Sequence, residues 1–328
     1  MLVVSAFALT TAAIASTITG ALPKESVRAE LIRRQSQTGL TLVAFYSGSL
    51  EVVSFVPRSL QKTGYRFPSL QEGVISPDGI DAVLLRDRPF TRFATARLDG
   101  TGLREYAGIA GGYRMCWNSD RSQILMSVED NSDPFHTTLQ IVDVGSKTAR
   151  NIDSNAYVYL TPQCSSPDGK RFVYETQEPL HQKKDGSSEA VNPTLKIYDV
   201  EQNKSHELAK GSEPSWSPDG DRIAFLDDRT YYAIAPSGDG KTILFHKGGA
   251  DSGLAWSPDS RLVAYTSHNT AFERPLLLDV GPVRLRVRRL SDNSEDWILQ
   301  LTDAYLPLFQ WVENKDLISH AQSQSSPQ

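Results

Sequence analysis

The chain has 328 residues, 22% of them charged and 39% apolar, with 39 acidic against 34 basic side chains and a net charge of −5. This mixed, slightly acidic balance excludes the basic excess or stripe of a nucleic-acid binder, so no nucleic-acid partner is expected. Two cysteines are too few for a disulfide framework, while the twelve Tyr, twelve Phe and five Trp suit sheet packing around one large core.

Residues 1–23 are read as a signal peptide. Leu2 to Ile18 is apolar and small, and Ala13-Ile14-Ala15 before Ser16 resembles a signal-peptidase site, although the basic n-region is missing. A retained membrane anchor, the one route to membrane association read here, and ordinary folded structure are the alternatives. Residues 24–38 are read as a linker or a short charged helix through Glu25, Arg28, Glu30, Arg33 and Arg34. Thr41 to Tyr46 and Leu50 to Val56 bracket Ser47-Gly48, which predicts a hairpin.

Farther on, one unit recurs. Ser217-Pro218-Asp219-Gly220 fits a tight turn: Pro presets φ, Asp bonds back to the backbone and Gly tolerates the exit conformation. Trp216 precedes it and the alternating Arg222-Ile223-Ala224-Phe225 follows, which is strand, turn, strand. Further copies centre on Pro77, Ser119, Pro167 and Pro258, and a worn last copy is Trp311 to Lys315 followed by Leu317-Ile318. Taking the Pro position as anchor gives 77, 119, 167, 218, 258 and 313, at intervals of 42, 48, 51, 40 and 55 residues. Such intervals suit one four-stranded propeller blade per repeat. A second strand–turn–strand in each unit agrees, as in Thr138 to Val144 and Thr194 to Val200.

These registered Trp-Ser-Pro-Asp-Gly hairpins resemble the WD40-like repeats of TolB-type β-propellers, also found in the propellers of prolyl-oligopeptidase-type peptidases. The resemblance covers roughly residues 40–322. It implies an all-β, six-bladed β-propeller over residues 39–322, followed by a disordered tail at 323–328. The C-terminal copy is expected to supply strands A and B of the last blade, and the N-terminal hairpin the other two, which removes free sheet edges. Seven blades is the alternative, because Leu42 to Phe45 after Ser36-Gln37-Thr38-Gly39 sits in register 40 residues before Pro77.

Cys116 and Cys164 occupy the same repeat position, just before the Trp slot, where other copies carry Val74, Ser215, Ala255 and Gln310. They are read as buried thiols, since a disulfide needs Cα atoms within about 7 Å. Loop lengths divide the two rims. A–B and C–D turns are short, whereas the B–C connections lengthen in blade 2 (residues 129–136), blade 3 (176–193) and blade 5 (268–282). Long loops on a rigid scaffold are where binding usually sits. The candidate binding residues there are Glu129, Asp130, His136, His181, Asp227, Asp228, His268 and Arg274. Arg284, Arg286 and Arg288 alternate with apolar residues, and so form one face of a strand that is read as a solvated outer strand, or else as an anchor for an acidic partner.

The chemistry of catalysis is thin. There is no Gly-x-Ser-x-Gly elbow, no His-x-x-x-His or Cys-x-x-Cys pair and no phosphate-binding loop. No room for a catalytic domain follows Gln328, and no cofactor or metal is expected. TolB-type proteins are periplasmic and bind envelope proteins, so the resemblance implies a monomeric, non-enzymatic module in the bacterial envelope, periplasmic or secreted, with a protein or glycan partner. TolB itself carries an α/β domain before its propeller, for which the forty residues preceding this one are too few. The alternative is a propeller enzyme, a lyase, lactonase or hydrolase, with Glu213 as the clearest acidic residue on a strand A and Asp303 on a D–A loop.

Overall fold

A computed structural model of the chain describes residues 25–325, except 47–48, 68–69, 87–91, 110–111, 113, 131–132, 178–180, 183–187, 190–192, 247–251, 269–282 and 302–307. The fold is a six-bladed propeller of antiparallel sheets. Blade 1 comprises Leu70–Ile75, Asp81–Arg86, Arg92–Arg97 and Arg104–Glu105, named strands A to D from the axis outward. Blade 2 comprises Arg114–Trp117, Gln123–Asp130, Asp133–Asp143 and Thr148–Tyr159. Its last strand runs on to pair Tyr159 with Glu175, so it also starts strand A of blade 3, which then bulges inward before bridging Ser165 to Phe172. The other strands of blade 3 are Arg171–Gln177, Thr194–Asp199 and Lys204–Lys210. Blade 4 uses Ser212–Trp216, Ile223–Asp227, Thr230–Ile234 and Thr242–His246; blade 5 uses Ser252–Trp256, Leu262–His268, Val283–Arg289 and Glu295–Leu301.

The ring closes by mixing the termini, with a different division from the one expected. The C-terminal part supplies one strand, Gln310–Glu313, and the N-terminal part supplies three, Leu40–Tyr46, Ser49–Phe55 and Arg58–Arg66. Leu317 and Ile318 are not a strand B. They lie in helix α2, Lys315–Ser325, started by the Asn314 side chain, which accepts from the amides of Asp316 and Leu317. Leu317 and Ala321 are i, i+4 neighbours and bury one face against blades 6 and 1. Residues 323–325, expected in a disordered tail, end this helix. The seven-blade alternative fails for a similar reason. Ser36 to Thr38 end helix α1, Val27–Thr38, capped at Ser26 and stopped at Gly39 with φ +79°. A Cβ at Gly39 would stand 2.6 Å from the Lys315 amide nitrogen, so glycine is needed there for space as well as for φ.

Period-two alternation along the strands splits each blade's apolar side chains between its two faces. The result is six apolar clusters, one at each blade-to-blade seam, rather than one central core. Val83 and Leu85 face blade 2, whereas Ala82 and Leu84 face blade 6.

The A–B turns of blades 1, 3, 4 and 5 lock themselves with the same four bonds. In blade 4 the Gly220 amide donates to Ser217 O (2.9 Å), and Ser217 Oγ donates to Asp219 Oδ1 (2.5 Å). The Arg222 amide donates to Ser217 Oγ (3.0 Å), and the Asp221 amide to Asp219 Oδ1 (3.1 Å). Ser76-Asp78, Ser166-Asp168 and Ser257-Asp259 repeat it. In the worn copy of blade 2, Asn118 replaces the serine and accepts from the Gln123 amide at 2.8 Å. Burial pushes the carboxyls of Asp168, Asp219 and Asp259 up, but the serine hydroxyl, the turn amide and nearby arginines together hold each below the usual range.

The strand-A residues then tie blade to blade. Indole Nε1 of Trp117 donates to Val74 O, that of Trp256 to Ser215 O and that of Trp311 to Ala255 O, each at 3.1 Å. Every acceptor sits at the slot before the preceding blade's aromatic position. Blades 3 and 1 carry Ser165 and Ile75 at that aromatic position, so blade 3 has no indole to reach back to blade 2, nor blade 1 to blade 6. At the 2/3 seam Cys116 and Cys164 form a disulfide, with Cα atoms 6.0 Å apart. The buried-thiol reading is therefore corrected: at this radius adjacent strands A come within disulfide reach. At the 6/1 seam the Gln310 amide accepts from Ile75 N (2.7 Å) and donates to Ile75 O (3.2 Å). At the 3/4 seam the Trp216 amide donates to Gln163 O at 2.7 Å.

Three outcomes follow from these links. Trp256→Phe keeps an apolar ring but loses volume and strands the buried Ser215 carbonyl, so denaturant unfolding should report a loss of at least about 1–3 kcal/mol. Cys116→Ser with Cys164→Ser should cost about 2–5 kcal/mol, and dithiothreitol should lower the wild-type melting temperature without affecting the double variant. The turn carboxyls have folded pKa values below their unfolded ones, so their stabilisation is present at neutral pH and is lost as pH falls below about 4. Urea midpoints should drop over that range, and the drop should shrink in the Asp168→Asn/Asp219→Asn/Asp259→Asn variant.

Candidate functional site

The A–B turns converge on the propeller axis and form a mouth. Its cavity measures about 280 Å³ and takes lining residues from all six blades. Its lining includes Trp117, Trp216, Trp256 and Trp311, all nearly buried, and the collar is the turn prolines Pro77, Pro167, Pro218 and Pro258. The repeat therefore dictates the site: what each hairpin needs for its turn and its seam, the ring gathers at one end of the channel. None of the lining residues is titratable. Arg171 lies over the Trp216 ring (5.1 Å) and Arg222 over the Trp256 ring (5.0 Å), which braces these indoles.

Gln163 floors the mouth. The inward bulge of blade 3 carries it to the axis, where Nε2 donates to Trp256 O (2.9 Å) and Oε1 accepts from Trp256 N (2.7 Å) and Ser215 Oγ (3.2 Å). One side chain so joins blade 3 to blades 4 and 5. Together with the bonds of Gln310, this engages both amides of the mouth within the ring. The tryptophans behind them are 0–6% exposed, so a ligand meets chiefly the turn prolines, of which Pro77, Pro167 and Pro258 are exposed.

The opposite rim holds the long loops. Glu129, Asp130, His136, His181 and His268 fall on strands, but their side chains lie outside the described residues, as does all of Arg274. The blade 3 loop contains a small hairpin pairing His181 with Glu189. Asp227 pairs with Lys241 Nζ at 2.8 Å, while Asp228 is exposed with φ +54° in the tight B–C turn of blade 4. Asp303 lies outside the described residues.

Glu213, the acidic strand-A residue, is engaged in the ring. Its Oε2 accepts from Tyr231 Oη and from the Gly253 amide of blade 5, both at 3.1 Å. Its own amide donates to Glu175 Oε2 of blade 3 at 2.9 Å. Burial pushes the Glu175 carboxyl up; the Gln177 amide and the Glu213 N–H oppose this, and the Glu213 charge adds to it. These two carboxylates are seam links at the long-loop end, as the indoles are at the mouth. Among the described residues no group of three or more His, Cys, Asp or Glu side chains has a geometry for holding a metal ion.

The arginine face of blade 5 is largely quenched within the fold. Arg286 and Arg288 both pair with Glu295, which also accepts from Tyr265 Oη. Burial pushes Glu295 up, but the Tyr265 hydroxyl and the two guanidiniums outweigh it and hold the carboxyl below the usual range. Sequence reasoning placed the arginines on one face but missed Glu295, whose only signal was a lone acidic residue on the next strand. Gln163 was missed as well, since its partners lie 52 and 93 residues away.

No family model matches the sequence. A stretch of 124 residues is 28% identical to a protein named uncharacterized peptidase YuxL of Bacillus subtilis (strain 168), covering 35% of this chain and 18% of that one. The chain thus spans less than a fifth of that relative's length. Among solved structures, TolB from Acinetobacter baumannii superposes with a TM-score of 0.60 and 13% identity over 85% of this chain and 69% of its own. The TolB structure from Agrobacterium tumefaciens gives 0.57 and 16%, over 80% and 89%. A chain of a nidogen/laminin complex gives 0.56 and 9%, over 84% and 98%. The chain has the six-bladed β-propeller fold seen in TolB.

Proposed function

We propose that the chain is a non-enzymatic binding module of the bacterial cell envelope that receives an uncharged, apolar segment of a protein partner in its axial mouth. The observation that carries this reading is the lining of the mouth, an exposed proline collar over four nearly buried tryptophans with no titratable side chain. Such a surface rewards apolar and ring contacts. A glycan is the weaker occupant, because its hydroxyls would lose water while the amides of Gln163 and Gln310 are already bonded to backbone. The Cys116–Cys164 disulfide supports a periplasmic or secreted location, where disulfides persist. The leader-like residues 1–23 point the same way, and no helix among the described residues is long and apolar enough to cross a membrane. The module is proposed to act as a monomer. The long-loop rim, with Glu129, Asp130, His136, His181, Asp227, Asp228, His268 and Arg274, is the alternative binding face. The limited likeness to a peptidase-named protein favours a second reading, a propeller attached to or derived from an enzyme.

Phage-displayed peptides selected against the protein test the reading. Selected sequences should be rich in aromatic, aliphatic or proline residues. Ser119→Phe/Ser165→Phe, which fills the mouth, should abolish their binding with the circular dichroism spectrum unchanged. Replacement of residues 177–192 by a short turn should leave binding intact. Peptides rich in charge whose binding survives the filled mouth and is lost with the loop would move the site to the long-loop rim.

A further inference from the structure

The seam between blades 5 and 6 differs on its outer wall from the rest of the charged surface. Strand C of blade 6 ends at Phe55 and turns through Val56-Pro57 into strand D. Val56 at the tip of that turn is 60% exposed, more than any other large apolar side chain described. Trp297, on strand D of blade 5, is 38% exposed. Two guanidiniums hold this indole: Arg58 lies 3.9 Å from the ring centroid and Arg284 5.7 Å. A third comes from α1, where Arg28 donates to Phe55 O through Nε (3.3 Å) and Nη2 (3.2 Å). Arg58 and Arg284 thus meet at Trp297, while Arg28 holds Phe55, the residue before Val56, and Arg58 follows Val56 by two, so α1, the blade 6 turn and the edge strand of blade 5 come together here.

Charge sets the patch apart. Arg58 shares Asp296 at 3.4 Å, but no carboxylate among the described residues pairs with Arg28 or Arg284. By contrast Arg286, Arg288 and Arg289 on the same strand as Arg284 are neutralised by Glu295, Glu30 and Asp292. A chain of net charge −5 therefore carries here a local positive excess around an exposed indole and an aliphatic turn tip.

We propose that this patch docks the protein onto an anionic phospholipid surface. Guanidiniums attract the negative leaflet and keep their heads at the phosphates while their stems lie along apolar surface. An indole settles at the headgroup boundary, and an exposed aliphatic tip enters the acyl edge. An acidic protein surface would satisfy the arginines but leave Val56 facing charge and water. The patch lies on the outer wall, away from the axial mouth, and does not depend on what the mouth binds.

The test is co-sedimentation of the full chain with vesicles of phosphatidylcholine alone or mixed with phosphatidylglycerol. The readout is the difference between the two compositions, so charge-independent affinity of residues 1–24 cancels. We expect binding to be stronger on the anionic vesicles and to weaken with salt. Arg28→Ala/Arg284→Ala should reduce the anionic partition on the order of tenfold or more. Val56→Ser should reduce it with the charges intact. Arg261→Ala, whose side chain is 79% exposed on a different turn, should leave it unchanged. Equal binding to both compositions, an unaltered double variant, or an equal loss in Arg261→Ala overturns the proposal. So does displacement by polyglutamate without any effect of Val56→Ser, which would assign the patch to an acidic protein.

Discussion

The structure depends on one constraint: each strand A must be tied to the strand A beside it. A four-stranded blade buries both faces only if neighbours stand against it, so the seams hold nearly all of the apolar burial. Apolar contact is non-directional and does not by itself fix the angle between blades. The polar links at the inner edge supply that direction. Three seams use an indole N–H on a neighbouring carbonyl, and the others use a disulfide, a glutamine amide and a backbone amide. The substitutions fall where the aromatic slot lacks its tryptophan or where the Trp216 indole turns to its own Gly220 O at 3.4 Å.

That constraint also makes the mouth. The tryptophans that clip the seams sit in the cavity lining, nearly buried, and the turns that lock the hairpins present their prolines. Stability and binding surface therefore share residues, and the neutral character of the mouth follows from the needs of the ring. Charge is pushed outward and paired: Arg121 with Asp78 and Asp81, Arg34 with Asp259, Arg289 with Glu30. At the blade 5–6 wall, where α1 covers the join, Arg28 and Arg284 have no carboxylate partner among the described residues.

Legibility in the sequence followed the range of the interaction. Ser-Pro-Asp-Gly turns declare themselves because their bonds run over at most five residues, and six registered copies gave the propeller. The division of the last blade was misread because Leu317-Ile318 imitates a strand B, while Asn314 and the polar run Ser319 to Ser325 start and sustain a helix instead. The disulfide was missed because it depends on the radius at which two strands A pass each other, which no local pattern encodes. The repeat position of the cysteines was visible, and so was Gln310 as the one large polar residue in a mostly small set; both were seam signals. The mouth was not anticipated, since its residues were each explained by the turn or the repeat that held them.

The most direct measurement is hydrogen exchange at the five tryptophan indole N–H groups, followed by ¹⁵N NMR with and without a ligand of the mouth. The account predicts slow exchange for Trp117, Trp256 and Trp311, whose N–H groups are bonded across seams, and fast exchange for the exposed Trp297. Ligand should shift the signals of the mouth indoles and leave Trp297 in place. Fast exchange at the three seam indoles, or a ligand that shifts none of the four that line the mouth, would contradict the claim that one set of residues closes the ring and forms the site.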